Sequence, residues 1–98
     1  MELLEFDYPS ANRRVNKRSH VGVVGSGEME VLMEPAETGI AHVSIRTSVN
    51  GFGRSWKAVM DRFFSKFDGA VRISINDAGA TPGNVMLRLE QAAEALEP

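Results

Sequence analysis

The hydrophobic period of this chain changes three times in 98 residues, and each change closes one kind of element and opens another. Up to Val49 the apolar residues favour alternation. Leu3, Leu4 and Phe6 suit a short strand stopped at Tyr8-Pro9-Ser10. Val21, Val23 and Val24 suit a second. Met29, Val31 and Met33 suit a third, with Glu28, Glu30 and Glu34 expected on its opposite face. The turn "GSG" at residues 25–27 makes these last two a hairpin. "IAHVSIRTSV", residues 40–49, concentrates β-branched residues and is expected to lie antiparallel to the strand before it.

After "NGFG" the period lengthens: Trp56, Val59, Met60, Phe63, Phe64 and Phe67 recur at helical spacing, with Gly69 as the expected left-handed stop. Val71, Ile73 and Ile75 return to alternation. Thr81 before Pro82 then reads as an N-cap followed by a first-turn proline. Val85, Met86, Leu89, Ala92, Ala93 and Leu96 share one face of a last helix, although Val85, Leu87 and Leu89 also alternate as a strand would. The order predicts an α+β fold: a two-layer sandwich with a small, mainly antiparallel sheet and two amphipathic helices on one face. The aromatic stripe is then core. Residues 1–98 are read as a single domain, with 1–19 more loosely ordered because "ANRRVNKRS", residues 11–19, is polar and has no sustained period.

Composition removes several functions. A formal charge of -2 argues against general nucleic-acid or membrane binding, and no apolar run approaches the roughly 20 residues that span a bilayer. The strands lack the paired aromatics on which RNA-binding sheets stack bases. Acidic residues occupy the N-terminus where a secretory signal would carry Lys or Arg, so a cytoplasmic location is expected. There is no cysteine, which excludes disulfides and a protein thiol, so any sulfur chemistry must arrive on an attached group. His20 and His42 lack ligand spacing, and no metal site is expected.

Few residues remain that could carry chemistry. Ser26 could meet His42 as nucleophile and base, but a strand follows it, whereas a nucleophile elbow leads into a helix. The glutamates read as a solvated strand face. "VVGSGEME" lacks the Lys-Ser/Thr of a phosphate loop, so nucleotide binding is not expected. No catalytic residue is assigned. The residues alone leave Ser26 either a polar filler in a turn or a displayed hydroxyl, approachable because Gly25 and Gly27 carry no side chain. The cluster Arg13, Arg14, Lys17 and Arg18, which leads into the strand before Ser26, is likewise either a solvated loop or a docking element for an acidic partner or for phosphate near Ser26.

Three segments, "VGVVGSGEMEVLMEP", "TSVNGFGRSWKAVMDRFF" and "NDAGATPGNVMLRLEQAAE", together resemble the acyl carrier proteins of bacterial malonate decarboxylases, their delta subunits, across about residues 20–95. A more distant likeness to the acyl carrier chain of citrate lyase lies in the acidic strand after the serine and in the Asp-x-Gly-Ala before the last helix. The resemblance implies that Ser26, between Gly25 and Gly27, is the attachment point of a 2'-(5''-phosphoribosyl)-3'-dephospho-CoA arm whose thiol carries acetyl and malonyl groups. It implies a noncatalytic carrier subunit. Its expected partners are the acyl transferase and decarboxylase subunits and a prosthetic-group transferase, with no nucleic acid and no membrane. Asp77, Gly79, Thr81 and Pro82 match the family pattern and are read as turn and cap residues. The Asp-Ser-Leu motif of fatty-acid carriers is absent. The alternative function is a scaffold or regulatory subunit without covalent cargo.

Overall fold

A computed structural model of the chain describes residues 1–9, 11–37 and 39–97. Its elements run β1 (Glu2–Tyr8), β2 (Ser19–Gly22), β3 (Met29–Pro35), β4 (Ala41–Thr47), α1 (Gly53–Phe64), β5 (Val71–Asp77) and α2 (Pro82–Glu94). The five strands form one sheet in the order β1-β4-β5-β3-β2, antiparallel except for the β4–β5 pair. Both helices cover the same face, α2 over β2 and β3 and α1 towards β1. The expected two-layer α+β sandwich is the observed one.

Alternation decides which side chains point inward. Met29, Val31 and Met33 of β3, Ala41, Val43 and Ile45 of β4, and Val71, Ile73 and Ile75 of β5 are all buried. Trp56, Met60 and Phe63 of α1 and Val85, Leu89 and Ala92 of α2 close over them. Each large side chain buried in this way contributes about 1.5–3 kcal/mol relative to exposure. The 85–89 segment is helix because the apolar face continues to Ala92 at helical spacing and Thr81 caps it, its Oγ1 accepting from Asn84 N at 3.2 Å.

Strand order differs from the expectation. β4 does not pair with β3; it lies between β1 and β5, with Leu4 opposite Ile45 and Val43 beside Ile73. Alternation specifies a face, not a neighbour. The intervening α1 brings the chain back to lay β5 parallel to β4, the connection a parallel pair requires. β3 then pairs with the other edge of β5.

Three local corrections have steric or packing causes. The strand expected through Val24 ends at Gly22, leaving Val23 and Val24 exposed. Gly22 has φ +91°, and a Cβ there would lie 2.1 Å from Met29 O. Helix α1 ends at Ser65 in a right-handed cap, not at Gly69. Gly69 is instead needed for close approach, since a Cβ would fall 2.6 Å from the Phe67 ring and 2.9 Å from Val15 Cγ2. The basic segment is also anchored. Ala11 and Val15 are buried in the core, and Arg13 O accepts from Ala70 N at 2.8 Å. Ser10, part of the expected stop after the first strand, lies outside the described residues.

The uncovered face of the sheet is largely polar, Leu3 and Leu32 apart. His42 on β4 bonds Asp7 through Nδ1 and Glu5 through Nε2, and the Asp7 hydrogen bond, reinforced by Glu5 against partial burial, raises its pKa above the ordinary 6.5. A raised folded pKa stabilises the fold fully below the unfolded value and loses that stabilisation as pH rises through the folded value. The gap in Tm between the parent and His42→Gln should therefore be widest below the ordinary histidine value and shrink as pH rises through the raised folded value, as measured by thermal unfolding from acid to alkaline pH.

Candidate functional site

Ser26 sits at the corner of the β2–β3 connection. Glu28 N donates to Gly25 O at 2.9 Å, closing a four-residue turn in which Ser26 and Gly27 are central, and Gly27 has φ +74°. A positive φ at the third position with a negative one at the second is the type II arrangement, which favours glycine at Gly27. Ser26 is exposed, and among the described residues its hydroxyl has no hydrogen-bond partner. A Cβ placed on Gly25 or Gly27 would meet nothing within 4 Å. The flanks are open in space.

The turn is fixed to the rest of the molecule. Gly27 N donates to Ala78 O at 2.7 Å and Ala78 N donates to Glu28 O at 2.8 Å, so the turn is bonded to the loop between β5 and α2. That loop is itself organised by Asp77. Its buried carboxylate accepts from Thr47 Oγ1 at 2.9 Å, Gly79 N at 3.1 Å and Ala80 N at 3.0 Å. Asp77, Gly79, Thr81 and Pro82 thus do the turn and cap work expected of them. They also hold the platform on which Ser26 is presented.

Glu28 departs from the expected outward strand face. It precedes β3, and its carboxylate accepts from Asn84 Nδ2 at 3.1 Å and lies 3.5 Å from an Arg88 guanidinium nitrogen, both on α2. The Arg88–Glu28 pair brings a cation to the neighbourhood of Ser26. Spacing gave one signal for this: Asn84 and Arg88 stand four apart, on one face of α2. Nothing in the local pattern linked that face to the serine.

The remaining candidates lie elsewhere. His42 pairs with Arg72 at the far end of β5, about 16 Å along the strands from the Ser26 turn at ~3.3 Å per residue, so serine and histidine do not form a nucleophile and base. Glu30 is tied to His20 and Asn76, and those two hydrogen bonds hold its pKa below the ordinary value. Glu34 pairs with Arg18. Arg13 pairs with Asp68 and Glu97, and Lys17 donates to Glu97 O. The basic cluster begins where β5 starts, whereas the Ser26 turn is bonded just past where it ends. The seven residues of β5 separate them by about 20 Å at ~3.3 Å per residue. The expectation that this loop lies beside the serine is corrected.

A cleft of about 230 Å³ opens at the same end of the sheet as Ser26, between the first turns of α1 and α2. Sequence reasoning did not anticipate it, because Trp56, Val59 and Val85 in its wall read simply as core and the rest of the lining comes from loops that only the fold brings together.

Comparison with known proteins adds a second line. Residues 16–96 match the family model described as malonate decarboxylase delta subunit (MdcD). The malonate decarboxylase acyl carrier protein of Azotobacter vinelandii is 45% identical over 95 residues, covering 96% of this chain and 95% of that protein. Its counterpart in Pseudomonas syringae pv. tomato is 46% identical over 97 residues, covering 98% and 97%. A chain in the crystal structure of a Pseudomonas malonate decarboxylase hetero-tetramer in complex with malonate superposes with a TM-score of 0.94 at 44% identity, covering 99% of this chain and 100% of that one.

Proposed function

The chain belongs to the malonate decarboxylase delta-subunit family of acyl carrier proteins, and on that footing we propose that Ser26 bears a 2'-(5''-phosphoribosyl)-3'-dephospho-CoA arm on which acyl groups are carried. The carrying observation is the Ser26 turn itself: an exposed hydroxyl without a hydrogen-bond partner among the described residues, open on both sides and braced from behind. These features fit a large group joined through a phosphodiester. Bound there, the group supplies the thiol that holds acetyl or malonyl as a thioester, chemistry that a chain without cysteine cannot supply itself.

The chain's own residues present and position. Gly27 holds the turn, the two hydrogen bonds to Ala78 fix its direction, and Gly25 leaves room for a prosthetic-group transferase to reach the hydroxyl. Among the described residues none hydrogen-bonds the Ser26 hydroxyl as a base would, and in this reading the chain is a noncatalytic carrier. Acyl transfer and decarboxylation then fall to companion subunits. The test is a thiol titration. The chain separated under denaturing conditions from its native complex, and treated with hydroxylamine to cleave any thioester, should yield one titratable thiol per chain, all of it from the attached group. Zero thiols in protein isolated with its transferase and companion subunits present would favour a scaffold without cargo.

The basic cluster Arg13, Arg14, Lys17 and Arg18 serves in this reading as a docking rim, remote from the arm. Arg14, Lys17 and Arg18 are exposed. Replacing Arg14 and Lys17 by Gln should slow acyl turnover with the purified partner subunits about threefold or more at low ionic strength, and the difference should fade near 0.15 M salt as screening takes over. Equal rates at low salt would return the cluster to a solvated segment.

A further inference from the structure

We propose that the cleft beside the attachment turn is the resting site for the tip of the chain's own arm, its free thiol or acetyl thioester, between visits to partner subunits. The proposal rests on attachment at Ser26 and goes beyond it, because it assigns a second site on this chain to the same group.

The cleft is open to solvent and apolar where it matters. Val49, Trp56, Val59, Ala80 and Val85 form much of its wall, with Phe52 at the margin. Phe52 is 52% exposed and Val49 38%, while Trp56 and Val85 are buried, so the wall runs from surface to core. Its one carboxylate is already satisfied, Asp77 accepting from Thr47, Gly79 and Ala80, and its other polar members, Thr47 and Ser55, are neutral hydroxyls. A neutral, mostly apolar occupant is the one this lining accommodates, since burying a further charge there would go uncompensated. At about 230 Å³ it falls below the roughly 300–1,000 Å³ that enclose a drug-sized ligand. It takes the end of an arm and excludes the nucleotide.

Position identifies the occupant. Gly27 is hydrogen-bonded to Ala78, and the next two residues, Gly79 and Ala80, line the cleft. The attachment point and the cleft thus share one loop, and an arm containing a nucleotide and a pantetheine is much longer than that separation. A tethered tip also faces the cleft at high effective concentration, so weak apolar contact suffices to hold it part of the time.

The test uses holo chain made with its transferase, with attachment confirmed by mass. Because the chain has no cysteine, the fast, thiol-directed reaction of iodoacetamide reports on the arm's thiol. That thiol should react about threefold more slowly than coenzyme A, the factor expected if the tip spends two thirds of its time in the cleft. Val49→Trp, which adds bulk at a half-exposed wall, and Ala80→Leu, which fills the interior, should each bring the rate to that of coenzyme A. Amide resonances of Gly79 and Ala80 and the Trp56 indole should shift between apo and holo parent protein and not in the filled variants. A holo thiol as reactive as coenzyme A, with cleft resonances unmoved, overturns this inference and leaves attachment standing. No adduct at Ser26 overturns both.

Discussion

Ser26→Ala should unfold at nearly the parent temperature and take up no arm. The hydroxyl makes no hydrogen bond among the described residues and its side chain is exposed, so its loss should fall within about 0.5 kcal/mol, the range of surface changes away from special features. The turn keeps every backbone contact that shapes it: Glu28 N to Gly25 O, Gly27 N to Ala78 O and Ala78 N to Glu28 O. Arm incorporation by the transferase should instead drop to background, because the oxygen that would carry the phosphodiester is gone. Thermal unfolding and intact mass, run on the same preparation, separate the two effects. A large fall in Tm would make the hydroxyl structural.

Gly22→Ala should give the opposite pattern, with the fold itself damaged. Residue 22 has φ +91°, and its added Cβ would lie 2.1 Å from Met29 O and 3.2 Å from Glu30 Cα, both backbone atoms of the paired strand. No rotamer change relieves such an overlap. The left-handed backbone and the forced strand separation together should cost about 3 kcal/mol. For a domain of this size that lowers Tm by roughly 12–24 °C. Gly25→Ala is the internal control. Its Cβ meets nothing within 4 Å and its φ is not positive, so it should change stability by less than about 0.5 kcal/mol. Equal melting of the two variants would mean that β2 does not approach β3 as closely as described.

These two glycines show what could be read from the residues. Gly25 and Gly27 stood out because they flank a serine, and their openness was legible at once. Gly22 did not, because its constraint comes from the carbonyl of Met29, a contact that exists only once β2 folds back on β3. The same division runs through the fold. The inward faces of β3, β4 and β5 follow from alternation, and the start of α2 follows from Thr81 and Pro82, since both signals are local. Strand order is not local. The placement of β4 beside β1 and β5 depends on which apolar faces close best over α1 and α2.

The site divides in the same way. The serine was visible, and the resemblance of three segments gave it a role. The brace was not: Ala78 acts through its backbone, and Glu28, which looked like part of a solvated acidic face, turns to Asn84 and Arg88 because the strand begins one residue later. The basic cluster invited a link to the serine because only seven residues lie between Arg18 and Ser26. β2 and the connection after it carry the chain along β3 from one end of the sheet towards the other.

Localising the adduct in protein from the native host tests the central claim most directly. Trypsin together with a glutamate-specific protease releases residues 19–28, "SHVGVVGSGE", whose only hydroxyl side chains are Ser19 and Ser26. Ser19 is buried and donates to Ala92 O at 2.9 Å, so a transferase can reach it only by opening the packing of α2 on the sheet. Fragmentation of this peptide should place a phosphoribosyl-dephospho-CoA mass on Ser26. An unmodified peptide from the assembled, active complex, or the mass on Ser19, would contradict the account.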